Sequence, residues 1–294
     1  MDKTKKRSHP LAEKAPIIIL LFGGLVMFAL ISILGTIISA ILKQFISFRD
    51  YESIDLLCTV FAALLVLAFH KFWYRPDYKG AFRNWVSVST VLKLSAVGFV
   101  YIVIIFILSV IDNRGVYFRP TFRMMCMALS AGVVEETAMR VIPVSIGMRY
   151  LKSNNRIMLA CVISSVIFGL MHAANLAAGA TVPMTVIQVI ATGFTGLYLC
   201  ALYQRTGSIL PAMLWHTVND FVNFACIPSI ADGVMNGAVT WSLFVDLGCT
   251  VLMGLFGLWV IRRENREKIL TIWTKIWSCN LSGKDIEGSV KDNG

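Results

Sequence analysis

Three clusters of polar residues interrupt long apolar stretches of this 294-residue chain, and each holds side chains able to move a proton or bind a metal. They are Glu135-Glu136 with Arg140, His172 with Asn175, and His216 with Asp220. An ionised group within hydrocarbon costs about 2.5 to 3.5 kcal/mol even on the mildest scale, so each of these residues needs a partner or a task. On a helix, Glu136 and Arg140 stand four apart on one face, while Glu135 points about 100° away. That spacing predicts that Glu136 pairs with Arg140 and that Glu135 faces a cavity. An ion pair that merely locks helix packing would account for Glu136 and Arg140 and leave Glu135 over.

The other two clusters are less specific taken singly. A lone histidine on an apolar face, such as His172, is more often a hydrogen-bonded core residue than a catalyst. His216 and Asp220 share a helix face one turn apart, a pair able to ligate a metal or orient a water, or to sit as a satisfied polar patch. The conjunction carries more. Two of the four histidines fall in apolar runs that otherwise need no polar atoms, whereas His9 lies in a basic tail and His70 at a helix end beside Lys71. Asp246 stands in the last apolar run without a partner motif and reads as structural.

The elements that must position these residues follow from composition. The chain is 57% hydrophobic and 15% charged, with a mean hydropathy of +0.71, which leaves too little polar surface for a water-soluble fold. Runs of roughly 20 apolar residues are long enough to cross a bilayer. Eight occur, near 16–42, 54–69, 91–111, 124–148, 157–177, 182–203, 209–226 and 240–261, which predicts an all-α, multi-pass transmembrane helical bundle of about eight helices. The first run follows a basic stretch, residues 1–15, but is about twice the length of a signal-peptide core, so it is expected to stay as a helix. With the N-terminus inside, twenty Lys and Arg fall in the inner segments against five in the outer ones, which places both termini in the cytoplasm.

The net charge of +10 is spread over loops that this arrangement sets beside anionic headgroups, so membrane lipid is the expected partner and nucleic acid is not. The seven cysteines show no paired spacing and read as small buried hydrophobes. Between residues 71 and 90, Phe72, Trp73, Tyr74 and Trp85 suit the headgroup layer. Residues 262–294 form a cytoplasmic tail: an amphipathic stretch to Trp277 compatible with a helix lying on the inner leaflet, then a disordered end from 278.

Glu-Glu-x-x-x-Arg at 135–140, Phe-x-x-x-His at 168–172 and His-x-x-x-Asp at 216–220, in this order and in the fourth, fifth and seventh membrane runs, resemble the motifs of the CPBP family. That family contains the CAAX prenyl proteases and the Abi-type, bacteriocin-processing membrane proteins, and the resemblance spans residues 124–226. It implies a membrane-embedded (metallo)endopeptidase in which Glu135 and His172 activate a water. His216 and Asp220 would stabilise the oxyanion or ligate a metal, Glu136 and Arg140 would support them, and Phe168 and Asn175 would line the substrate site. The family is described both with a metal, for which Glu135, His172, His216 and Asp220 are the candidate zinc ligands here, and without one. The CAAX-processing branch usually carries Asn where this chain has Asp220, and an ionised carboxylate is a better metal ligand than an oxyanion donor. Asn219 is expected to face about 100° away and to substitute poorly for it.

The expected activity is hydrolysis of a peptide bond in a membrane-associated protein or peptide, in CAAX-type or bacteriocin-type processing, in a prokaryotic plasma membrane. Two other classes fit parts of the pattern. A non-proteolytic membrane scaffold or bacteriocin self-immunity protein would not need three intact motifs. An ion path would use the buried carboxylates but not the matched histidine spacing.

Overall fold

Every apolar run of the sequence becomes a helix in the computed structural model, which describes residues 10–47, 50–74, 78–227, 239–279 and 281. The order is α1 (Pro16–Phe45), α2 (Tyr51–Phe69), α3 (Val88–Asp112), α4 (122–150), α5 (Arg156–Met171), α6 (Val182–Thr206), α7 (Leu210–Cys226), α8 (Trp241–Val260) and α9 (Arg266–Trp277). Among the described residues there is no strand. Six helices, α1, α2, α3, α5, α6 and α8, are long and apolar enough to cross a membrane. The chain is thus an integral membrane protein, a multi-pass helical bundle.

The two expected spans outside that set carry the polar clusters. α7 is 17 residues long, and α4 is broken by two π-helical stretches, Ala131–Glu135 and Thr137–Val141. A π turn inserts extra backbone into a helix and re-aims the side chains beside it. Glu135, Glu136 and Arg140 all lie within or between these two stretches.

Helix starts follow local chemistry. Asp50 caps α2 by accepting from the Ser53 amide at 3.0 Å, and the hydroxyl and amide of Ser53 hold its carboxyl below the usual range. Thr121 caps α4 by accepting from the Met124 amide at 3.2 Å. α6 ends at Gly207, whose φ of 72° is costly for a residue with a Cβ.

α6 is the central element, packed along α5 on one flank and α8 on the other, while α7 lies against α3 and α4. Successive helices alternate in direction, so the connections gather at two ends. At one end, Lys79 donates through its amide to Ile276 (2.9 Å), Trp85 to Thr206 (3.0 Å), and Ile209 to Ala81 (2.7 Å). At the other, the Arg119 amide donates to Ala225 (3.0 Å), Asn113 Nδ2 to Cys226 (3.1 Å), and Ser242 hydrogen-bonds Asp112.

The first end departs from expectation in two ways. α9 does not lay its apolar face on lipid. Ile269, Leu270, Trp273, Ile276 and Trp277 are at most 1% exposed, because the bundle covers them. Trp273 Nε1 donates to the Gln204 carbonyl (3.0 Å) and Trp277 Nε1 to that of Ser145 (3.2 Å). Trp85 likewise packs against the core rather than standing in the headgroup layer, whereas Phe72 is exposed. Tyr78, also buried, shares a hydrogen bond of 2.5 Å with Tyr203, and burial pushes its phenol above the ordinary range. The 78–86 segment and α9 together close this end with a packed cap. The expected disordered end, save Ser278, Cys279 and Leu281, and residues 1–9 of the basic tail lie outside the described residues.

Candidate active site

α4, α5 and α7 bring the three polar clusters together. Glu136 is the hub: its Oε1 lies 3.1 Å from Arg140 Nη1 and 3.0 Å from His216 Nδ1. Glu136 and Arg140 are fully buried, so the carboxylate and guanidinium hold each other's charge out of hydrocarbon. A carboxylate can only accept, so the proton of this contact sits on His216 Nδ1 and the Nε2 edge of the ring turns outward. That edge lies 3.5 Å from Asp220 Oδ2 and 3.8 Å from Glu135 Oε2. Glu135 is therefore set apart from its neighbour, partly exposed at 18% where Glu136 is at 0%. Its Oε2 is buried without a hydrogen bond.

Two glycines allow the approach. A Cβ on Gly132 of α4 would collide with the Thr217 side chain and lie 2.9 Å from the Met213 carbonyl of α7. A Cβ on Gly196 of α6 would lie 3.2 Å from Arg140 Nη2. The first fixes the α4–α7 distance and the second leaves a notch for the guanidinium.

His172 opens the 3-10 turn His172–Leu176 that follows α5. Its Nδ1 lies 2.9 Å from the Phe168 carbonyl. A carbonyl accepts, so Nδ1 carries the hydrogen and Nε2 keeps its lone pair. Phe168, expected on the substrate wall, is only 1% exposed and is instead enclosed by the site itself. Arg140 stacks over its ring at 4.0 Å, and the two histidines meet it edge-on, His172 at 5.0 Å and His216 at 6.0 Å between ring centres. It acts as a spacer between the two imidazoles.

The structure adds residues that sequence spacing passed over. Asn175 Nδ2 donates to Gln188 Oε1 of α6 at 2.9 Å, so the residue that follows His172 by three is tied to a second amide. Gln188 was visible as a polar side chain within an apolar run. Asn219, expected to face away, turns its Nδ2 to Asp220 Oδ1 at 3.2 Å, because neighbouring side chains on a helix bend toward each other when one donates and the other accepts. Asp246 gains a partner across the bundle, accepting from the Tyr101 hydroxyl at 2.6 Å.

Among the described residues no group of three or more His, Cys, Asp or Glu is placed to hold an ion. Nδ1 of His216 is taken by Glu136 and Nδ1 of His172 by the Phe168 carbonyl, which leaves Nε2 of each ring, with Glu135 and Asp220, as the remaining donors. The residues present do not fit a metal in this arrangement.

Three carboxylates converging on one histidine, with a second histidine across a phenyl spacer, make a constellation suited to moving a proton to and from a water. No curated protein and no solved structure matches the chain. A family model described as type II CAAX prenyl endopeptidase Rce1-like matches residues 117–222. That segment holds all of Glu135, Glu136, Arg140, His172, His216 and Asp220, and over it the chain is similar to the Rce1-like type II CAAX prenyl endopeptidases.

Proposed function

We propose that the protein is an intramembrane endopeptidase that hydrolyses a peptide bond of a membrane-associated peptide or protein by carboxylate-activated water. The observation that carries this reading is the asymmetry of the adjacent glutamates. Glu136 is spent on Arg140 and His216, and Glu135 faces His216 Nε2 with an oxygen that no hydrogen bond occupies.

Glu135 takes a proton from a water held by the lone pair of His172 Nε2, and the hydroxide adds to the scissile carbonyl carbon. The oxyanion forms beside His216 Nε2 and accepts from its N–H, the ring being an imidazolium among three carboxylates, while Glu136 orients the ring through Nδ1 in the way a triad carboxylate orients its histidine. Glu135 then returns its proton to the leaving amine as the C–N bond breaks. Asp220, held by Asn219, keeps its place against the His216 edge. This scheme routes no step through a metal, in keeping with the poor fit of the donors. CAAX-type peptides and bacteriocin-type leader segments are the proposed substrates, and a prokaryotic plasma membrane is the proposed setting.

The test uses purified protein and a farnesylated C-a-a-X peptide beside a set of membrane peptides, with products read by mass spectrometry. Wild-type protein is expected to cleave, and Glu135→Gln to lose about 10²- to 10⁴-fold in rate while unfolding at the wild-type temperature. A wild-type rate from Glu135→Gln would overturn the assignment. Chelation is expected to leave the rate unchanged, and a loss restored by added zinc would replace the metal-free scheme. Full biological activity from a His172→Ala, His216→Ala double variant would point to a scaffold instead.

A further inference from the structure

Two arginines at the capped end carry charge that no carboxylate among the described residues answers. Arg156 opens α5 and Arg266 opens α9, so each cation stands at the first residue of a helix. Free N–H groups already make that end of a helix positive, which makes it a poor place for a cation and a good one for an anion. Neither start is relieved by its own cap, since Asn155 and Asn265 make no side-chain capping bond. The two guanidiniums are neighbours. Arg266 Nη2 donates to Asn154 Oδ1 at 3.1 Å, two residues before Arg156, and Arg156 feels Arg266 as a like charge.

Arg156 is the more demanding of the two. It is 7% exposed, and its donors reach only the Ser153 carbonyl at 3.4 Å and the Met148 carbonyl at 3.5 Å, both longer than an ordinary hydrogen bond. Nε of Arg266 is buried with no hydrogen bond. The acids nearest in sequence do not help: Glu264 is bonded to Arg262, and Glu267 is exposed and forms no ion pair with either arginine. A buried charge without a counter-charge is costly, and a second cation beside it adds to the cost. Lys152, exposed on the connection between α4 and α5, adds a third cation at the same end.

We propose that Arg156 and Arg266 bind the phosphate of a phospholipid headgroup. A guanidinium presents paired N–H donors that match phosphate oxygens, and two of them at two uncapped helix starts supply both the donors and the field. The level suits a lipid, because Arg156 is the first residue of a membrane-spanning helix. A track for the acyl chains runs on from it: Leu159, Val162, Val166 and Leu170 are exposed along one face of α5, beginning one turn from Arg156. A free phosphate would use the same arginines and gain nothing from that face. Bound there, the lipid ties α9, and with it the cap, to the start of α5. The inference is independent of the peptidase reading.

The experiment follows the unfolding midpoint of the purified full chain in delipidated detergent by tryptophan fluorescence, with phosphatidylglycerol, diacylglycerol, inorganic phosphate or polyglutamate added separately. Phosphatidylglycerol is expected to raise the wild-type midpoint by about 5 °C, and the other three to leave it within about 1 °C. Arg156→Gln and Arg266→Gln are expected to lose that rise, whereas Arg262→Gln, whose cation is paired with Glu264, keeps it. Without lipid, Arg156→Gln should unfold no lower than wild type, because it removes an unanswered buried charge; an arginine with a purely structural role would lower the midpoint there too. The proposal is overturned if phosphatidylglycerol leaves wild type unmoved, if both glutamine variants keep the rise, or if Arg262→Gln loses it equally. It is overturned as well if diacylglycerol acts as strongly, or if phosphate or polyglutamate acts in place of the lipid. Where Arg156→Gln fails to fold, Arg266→Gln, at a partly exposed position, decides the question alone.

Discussion

The two ends of the bundle solve opposite problems with the same residue types. At the capped end, several polar atoms are closed off in pairs, Tyr78 with Tyr203, Trp273 with the Gln204 carbonyl and Trp277 with that of Ser145, while Trp85 Nε1 and Gln204 Oε1 are buried without a hydrogen bond. At the other, Glu135 Oε2 and Asn219 Oδ1 are buried without a hydrogen bond. A buried polar group left unpaired costs about 1 to 3 kcal/mol. The first end spends most of its polar atoms on packing, with an indole N–H and an amide oxygen left over, whereas the second leaves a carboxylate oxygen open beside a histidine. The difference teaches that polarity in a membrane span marks chemistry where the unpaired group is one that can move a proton. Asp246 shows the converse, since its carboxylate, partly exposed like those of Glu135 and Asp220, is answered by Tyr101.

The largest effect is expected at the boundary between the two regions. Arg140 is fully buried against Glu136 and over Phe168, so Arg140→Met leaves a buried carboxylate with only His216. Removing one partner of a buried pair costs about 3 to 5 kcal/mol, to be read as a fall in unfolding midpoint in detergent together with loss of cleavage. A variant that unfolds like wild type would show that Glu136 finds its support elsewhere and would break the division of labour between the glutamates.

How much of this was legible in the sequence depends on the range of the contact. The eight helices follow from runs of Leu, Ile, Val and Phe because hydrocarbon demands length and apolarity from each segment by itself. The pairing of Glu136 with Arg140 is likewise local, one turn of helix. What spacing could not give is whatever depends on the neighbouring helix. The π stretches of α4 lie where Gly132 lets it close on α7, a contact that no local pattern contains. The turn of Asn219 toward Asp220 is a side-chain choice that a helical wheel does not contain. The enclosure of Phe168 needs α4 and α7 both in place. The α9 pattern of Ile and Trp read correctly as one apolar face, but lipid and a protein end look alike to such a face, and only the tertiary fold says which covers it.

A somewhat smaller effect is expected at the cap. Trp273 is fully buried, donates to Gln204 and meets the Tyr203 ring edge-on at 5.3 Å, so Trp273→Ala opens a cavity and orphans a carbonyl. The loss of stability should be about 3 kcal/mol. The sharper expectation concerns rate: cleavage per folded molecule should stay within about twofold of wild type, since no cap residue touches the cluster. If folded Trp273→Ala protein cleaved tenfold more slowly, the two ends would be coupled and the contrast between them would have to be redrawn.

The smallest effect is expected beside His172, where Asn175 meets Gln188. Gln188 accepts from Asn175 and touches none of the proposed reacting groups, so Gln188→Leu keeps the volume and removes one amide next to the site. One lost hydrogen bond to substrate is worth about 1 kcal/mol, which corresponds to a rise in KM of about fivefold with kcat unchanged. Stability should be unaffected, because the residue is partly exposed. A structural role would give a different signature. If Gln188 served to hold the 3-10 turn that carries His172, its loss would lower kcat with little change in KM, and restoring an amide with Asn at that position would not recover it. The split between KM and kcat therefore decides whether the carboxamides at this end meet the substrate or merely hold a catalytic turn in place.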